Sequence, residues 1–285
     1  MAERHPPEPP VELPPGRLVH VRGRGEFFIR DSGGDGPAVL LLHGWMFSAD
    51  LNWYTTYGAL VEAGYRVLAV DHRGHGRGIR TAEPFTLKAC ADDAAALLAQ
   101  LKIQPVLAVG YSMGGPIASI LARDHPKLVT GLVLGATALD WSTPRMKAFW
   151  RTMAALRLVL GLAPEKAWQR GLRAGGFPDS PITTWVAAEL SRGNSVDLAE
   201  AGRELGRYDA TTWIAGLDAP RAILLTTQDT AVPPSKQRAL AAALSAPVFE
   251  VHGDHGAVIV KADEFNAQLL AALDAVRDPR AAATH

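Results

Sequence analysis

Apolar runs of strand length recur along this chain, and stretches of helix length separate them. AVLLLHG at 38–44, YRVLAVD at 65–71, PVLAVG at 105–110 and KLVTGLVLGA at 127–136 are continuous rather than alternating. Continuous runs of this kind fit strands buried on both faces of a parallel sheet. Residues 51–63, 86–101 and 113–124 read as the helices between them. Upstream, LVHVRGRGEFFIRD at 18–31 predicts two short strands with a glycine turn, and SGGDGP at 32–37 predicts a loop. Strands alternating with helices predict βαβ units and a mostly parallel central sheet flanked by helices, an α/β fold.

The pattern changes after Ala136. Residues 141–213 contain no strand-like run, hold five of the chain's seven tryptophans, and read as helix at 144–160 and 181–205. Alternation resumes with RAILLTT at 221–227, a helix at 235–244, APVFEVHG at 246–253 and a helix at about 261–276. The economical division is a core at 18–140 and 213–285, interrupted by a helical insertion at 141–212. Residues 1–17 form a flexible tail, because its six prolines fix φ and remove hydrogen-bond donors. The tail has no apolar segment of the export-signal kind, so the expected location is the cytoplasm.

Composition narrows the function. Lys+Arg and Asp+Glu both total 29 in 285 residues, a net charge of +0. Bulk electrostatic attraction to nucleic acid or to an anionic membrane is therefore not the organising theme. The single cysteine, Cys90, excludes an intrachain disulfide and any multi-cysteine metal site. No apolar run approaches the ~18 residues of a membrane span.

The sharpest chemical signal is Gly110-Tyr111-Ser112-Met113-Gly114-Gly115, at a strand-to-helix junction. A tight turn there pushes a serine Oγ out above the sheet, and the new helix aims its N-terminal N–H groups at it. Ser112 is the expected nucleophile. A serine hydrolase needs two N–H donors for the oxyanion. One is expected from Met113, after the nucleophile. The other is expected from Trp45, in the loop after 38–44, with Gly44 permitting a close approach and His43 serving as a packing residue.

A base and an acid must follow in the chain. Among the later histidines, His125 lies at the far end of the elbow helix and His285 is terminal. His252 reads as strand-end packing. His255, in the loop Gly253-Asp254-His255-Gly256, is free to lean over the strand ends and is favoured as the base. Asp229 and Asp140 each follow a core strand. Asp229 is favoured, in a loop that prolines keep non-helical, while Asp140 reads as a helix-start residue.

With these landmarks the chain resembles the α/β-hydrolase fold superfamily, in its capped serine esterase, lactonase and haloperoxidase-like branch. HGW at 43–45, DHRGHGRG at 71–78, GYSMGG at 110–115, and Asp229 with His255 carry the resemblance over about 18–140 and 213–278. It implies that Asp71 and Arg73 organise a loop and that the insertion is a cap roofing the acyl pocket. The chain departs from the family at two places: TTQD stands where G-x-x-D is usual, and GDHG where G-x-GH is usual. The implied activity is hydrolysis of a small-molecule carboxylic ester or lactone with an apolar acyl group, through an acyl-enzyme on Ser112, with no metal or organic cofactor. The same triad also serves carbon–carbon bond hydrolysis, perhydrolysis and acyl transfer, and the fold also serves as a ligand-binding receptor. Haloalkane dehalogenase or epoxide hydrolase chemistry would require an aspartate at position 112.

Overall fold

A computed structural model describes residues 7–141, 165–174 and 176–277, together with 148, 151, 152, 155 and 158. The helix expected at 144–160 falls mainly outside these residues, as does His285. Eight strands form one sheet: β1 (Gly16–Val21), β2 (Gly25–Asp31), β3 (Ala38–Leu42), β4 (Arg66–Val70), β5 (Val106–Tyr111), β6 (Val129–Gly135), β7 (Arg221–Thr226) and β8 (Val248–Val251). Their order is β1-β2-β4-β3-β5-β6-β7-β8. β2 is antiparallel to its neighbours, and pairing from β4 to β8 is parallel throughout.

The helices described are α1 (Ala49–Trp53), α2 (Tyr57–Glu62), α3 (Leu87–Leu101), α4 (Gly114–Asp124), α5 (Glu165–Ala174), α6 (Pro181–Ser191), α7 (Ser195–Arg207), α8 (Pro234–Leu244), α9 (Ala257–Val260) and α10 (Ala262–Arg277). Two hydrophobic clusters cover the two faces of the sheet. Leu40, Leu42 and Ala108 face Leu98, Ile117 and Leu121 on one side. Val39, Leu41 and Val109 face Phe265, Leu269 and Leu273 on the other. The period of two along each strand sends successive side chains to opposite faces, and both faces are covered. That is why the runs are continuously apolar.

Two helices expected as single elements are each broken in two, and a third, at 261–276, forms as one element. The stretch at 51–63 divides into α1 and α2, where Thr55 turns its hydroxyl to the Val258 carbonyl at 2.8 Å and its own carbonyl accepts from Asn266 at 2.8 Å. The stretch at 181–205 breaks at Gly193-Asn194. There the Asn194 side chain caps α7 by accepting from the N–H groups of Val196 and Asp197. Asn favours this cap over a helix interior because its side chain competes for backbone donors. The stretch at 261–276 is preceded by the separate turn α9.

Helices α5 to α7 lie between β6 and β7 in the chain. On α6, Trp185 packs edge-on against Tyr54 and clusters with Leu51 of α1. Beside it the buried Glu189 accepts from the Ser48 hydroxyl at 2.6 Å and pairs with Arg77 at 2.7 Å and Arg192 at 2.9 Å. At the N-terminus the Pro14 carbonyl accepts from Arg30 and the Pro15 carbonyl from Asp31 N–H, so the segment entering β1 lies against the sheet. Among the described residues, no helix is long and apolar enough to cross a membrane.

The sheet order creates one place where neighbouring strands diverge in their connections. From β3 the chain runs outward to β4, then returns to β5 on the other side of β3. Loops leaving β3 and β5 therefore part company at their carboxyl ends, which is where open α/β sheets hold their ligands.

Candidate active site

Ser112 stands at this switch point, directly after the fully buried β5. Its φ of +54° is in the left-handed region. For a residue with a Cβ this costs on the order of 1–3 kcal/mol. Hydrogen bonds on both sides hold it there: Ser112 N–H donates to Gly135 O at 2.9 Å, and Gly115 N–H donates to Ser112 O at 3.0 Å. The turn is possible only between glycines. A Cβ at Gly110 would run into the Gly114 carbonyl, and a Cβ at Gly114 would run into the Leu42 carbonyl.

His255 approaches from the loop after β8. Its Nε2 lies 3.0 Å from Ser112 Oγ, and its Nδ1 lies 2.8 Å from Asp229 Oδ2. An ionised carboxylate only accepts hydrogen bonds, so Nδ1 carries the proton and the Nε2 lone pair faces the serine hydroxyl. The Tyr111 hydroxyl donates to the His255 carbonyl at 2.9 Å and steadies the loop. Asp229 is buried, and four close donors meet its carboxylate, with Gln237 Nε2 a longer fifth at 3.4 Å. Oδ1 accepts from the N–H groups of Ala231 and Val232, and Oδ2 accepts from the Thr226 hydroxyl and from His255.

The other residues weighed for these roles lie elsewhere. His252 is exposed, and its backbone N–H donates to Glu264 at 2.6 Å. His125 pairs with Asp92 at 3.0 Å. Asp140 pairs with Lys236 at 2.7 Å, and its backbone bridges to Asp209. The structure thus brings Ser112, His255 and Asp229 together and holds Asp140 in a separate ion pair.

The loop after β3 closes the opposite wall. A Cβ on Gly44 would lie 3.3 Å from Ser112 Cβ, so the glycine lets this loop sit close against the serine. Gly44 N–H donates to the buried Asn52 side chain at 2.9 Å. The Trp45 indole N–H donates to the Leu198 carbonyl of α7 at 2.7 Å, joining this loop to the helices between β6 and β7. Met113 is fully buried and stands at the N-cap of α4. The hydrogen bonds of His43 go elsewhere than Ser112. Its Nδ1–H donates to Gly44 O at 2.8 Å, and its Nε2 accepts from His72 N–H at 3.0 Å. Burial drives its imidazole well below the ordinary range, and it is neutral.

The DHRGHGRG loop supports this wall from behind. Asp71 accepts from Ala49 N–H at 2.6 Å and from Arg77 N–H at 2.7 Å, and burial pushes its carboxyl up to about 6. Arg73 makes a two-pronged pair with Asp93. Thr226, Gln237, Asn52 and Glu189 are supporting residues that motif reasoning does not reach, and Tyr111 lies inside GYSMGG without its bond to the His255 loop being legible there. For Thr226 a signal exists, the departure of TTQD from G-x-x-D. For the others the contacts join distant segments and leave no local pattern.

A family model described as alpha/beta hydrolase fold matches residues 37–262. The chain belongs to the α/β-hydrolase fold family. This hydrolase is 29% identical over 269 residues to a non-heme haloperoxidase of Rhodococcus erythropolis, covering 87% of this chain and 96% of that protein. An esterase from Exiguobacterium antarcticum superposes with a TM-score of 0.77 at 20% identity, covering 90% of this hydrolase and 98% of that chain. An enol-lactonase from Burkholderia xenovorans superposes with a TM-score of 0.73 at 24% identity, covering 90% and 100%. At these identities the two superpositions speak for the fold alone.

Proposed function

We propose that this hydrolase cleaves a carboxylic ester or lactone through an acyl-enzyme on Ser112. The observation that carries the reading is the continuous hydrogen-bonded line Ser112 Oγ, His255, Asp229, at 3.0 Å and 2.8 Å. His255 Nε2 takes the hydroxyl proton as Oγ attacks the carbonyl carbon. Asp229 keeps the proton on Nδ1 and stabilises the imidazolium. The carbonyl oxygen becomes an oxyanion, bound by the backbone N–H groups of Trp45 and Met113. His255 returns its proton to the leaving alkoxide. Water, activated by the same imidazole, then attacks the acyl-enzyme, and Ser112 leaves as the hydroxyl. No metal or organic cofactor enters the sequence. Residues 141–212 act as a cap over the site, with 18–140 and 213–285 as the core. The Trp45–Leu198 bond ties the oxyanion loop to that cap.

The decisive experiment is a panel of p-nitrophenyl esters of increasing chain length, with lactones and a carbon–carbon substrate alongside. Ester or lactone turnover is expected to dominate, and Ser112→Ala is expected to lower it by a factor on the order of 10⁴. A fluorophosphonate should label the wild type at Ser112. Labelling or turnover that persists in Ser112→Ala would falsify the reading.

A further inference from the structure

We infer that Thr226 is a positioning residue for Asp229: its hydroxyl, seated by Gln237, fixes the carboxylate oxygen that meets His255. The inference rests on the triad reading above. Thr226 is the last residue of β7, and both it and Gln237 of α8 are buried. Gln237 Oε1 accepts from Thr226 N–H at 3.0 Å, which orients the amide and turns its NH₂ toward the strand end. Nε2 then donates to Thr226 Oγ1 at 2.8 Å and to the Val232 carbonyl at 2.8 Å. With that lone pair occupied, the single hydroxyl proton goes to Asp229 Oδ2 at 2.8 Å. A carboxylate has no proton to return, so the line runs one way, from Gln237 through Thr226 to Asp229.

Two features say that the line serves the acid. A fully buried glutamine is costly unless its amide is satisfied, and this one spends its bonds on the strand end and loop that carry Asp229. The two donors on Oδ1, Ala231 and Val232 N–H, come from Asp229's own loop and hold one oxygen. The other oxygen meets His255 and is held from behind by the Thr226 hydroxyl at 2.8 Å, with Gln237 Nε2 a longer, weaker donor at 3.4 Å. Without the hydroxyl, Oδ2 keeps only the long Gln237 contact behind it, and the carboxylate oxygen that meets the imidazole is held less firmly. Thr226 occupies the position where the related family has glycine, which offers no hydroxyl.

The test compares Thr226→Val, which keeps the shape, with Thr226→Ser, which keeps the hydroxyl. Two readouts are taken: kcat and KM on a p-nitrophenyl ester, and the rate of Ser112 modification by a fluorophosphonate. In Thr226→Val, kcat and the labelling rate should fall about tenfold or more, with KM within about twofold, because the residue sits behind the acid. The downfield proton resonance of His255 Nδ1–H should shift or broaden. Thr226→Ser should restore all three. Should the valine variant not fold, Thr226→Ala against Thr226→Ser makes the same comparison. Wild-type kcat and labelling in a folded hydroxyl-free variant, an effect confined to KM, or a serine variant as impaired as the valine one would each overturn the inference. Ser112→Ala run in parallel separates the two claims. Activity surviving there defeats the nucleophile reading, whereas a dead Ser112→Ala beside a fully active Thr226→Val defeats only the role of Thr226.

Discussion

His255 and His252 differ by three positions and lie in one loop, yet they face different surroundings. His255 points inward between Ser112 and Asp229, while His252 is exposed with its backbone tied to Glu264. His255→Ala should therefore remove hydrolysis almost entirely, and His252→Ala should leave kcat within about threefold, since exposed substitutions away from such features are mild. The two aspartates divide in the same way. Asp229→Asn keeps the shape but presents an NH₂ or a neutral oxygen to Nδ1–H, and a loss of up to roughly 10⁴ in kcat is expected. Asp140→Asn breaks a pair with Lys236 outside the hydrogen-bonded line of Ser112, His255 and Asp229 and should keep activity within about tenfold. Steady-state kinetics on the four variants check both contrasts. Mild effects in each aspartate variant and collapse in the double would show that the two carboxylates substitute for one another.

Elements are joined around the site by buried polar contacts rather than by packing alone. Glu189 is buried on α6, with Ser48, Arg77 and Arg192 as partners. Arg77 also reaches Asp50, and Asp50 pairs with Arg30, so one network ties α6 to α1, β2 and the loop after β4. Ser48 accepts from Leu51 N–H to cap α1 while donating to Glu189. Removing the carboxylate leaves Arg77 short of one partner and the serine proton without its acceptor. Glu189→Leu should cost about 3 kcal/mol of stability, the usual scale for breaking a buried pair. A lowered urea midpoint at unchanged slope is the expected signature. An unchanged midpoint would mean that α6 is held by Trp185 and Leu190 alone.

Taken over the whole molecule, buried titratable groups set how stability responds to acid. Burial, with the mutual repulsion of the ring charges adding to it, lowers His72 to about 3; burial also lowers His75 to about 4 and His43 well below the ordinary range. An unfolded histidine titrates near 6.5, so below that pH the unfolded chain binds more protons and stability falls toward pH 4. Asp71, raised to about 6 by burial, acts oppositely: between about 6 and 4 the folded state binds more protons, and acidification favours it. Asp197, also raised by burial, acts with Asp71, and the three histidines outweigh these two carboxylates. Chemical unfolding should show lower stability at pH 4.5 than at pH 7, and His75→Gln should flatten the difference. Greater stability at pH 4.5 would contradict the sign. The same buried groups mark the boundary of what the sequence states. Sheet, helices and elbow are legible because apolar burial is periodic and non-directional: AVLLL and VLAVGY have no stable place except between two covered faces. The elbow is legible because its clash is local, Gly110 meeting Gly114 four residues on. The partners of Asp229, the anchoring of Gly44 by Asn52, and the latch at Glu189 were decided by tertiary structure. Hydrogen bonds require donors and acceptors placed within about 3 Å at fixed angles. Segments such as Ser48 and Glu189, 141 positions apart, meet only once the chain has folded.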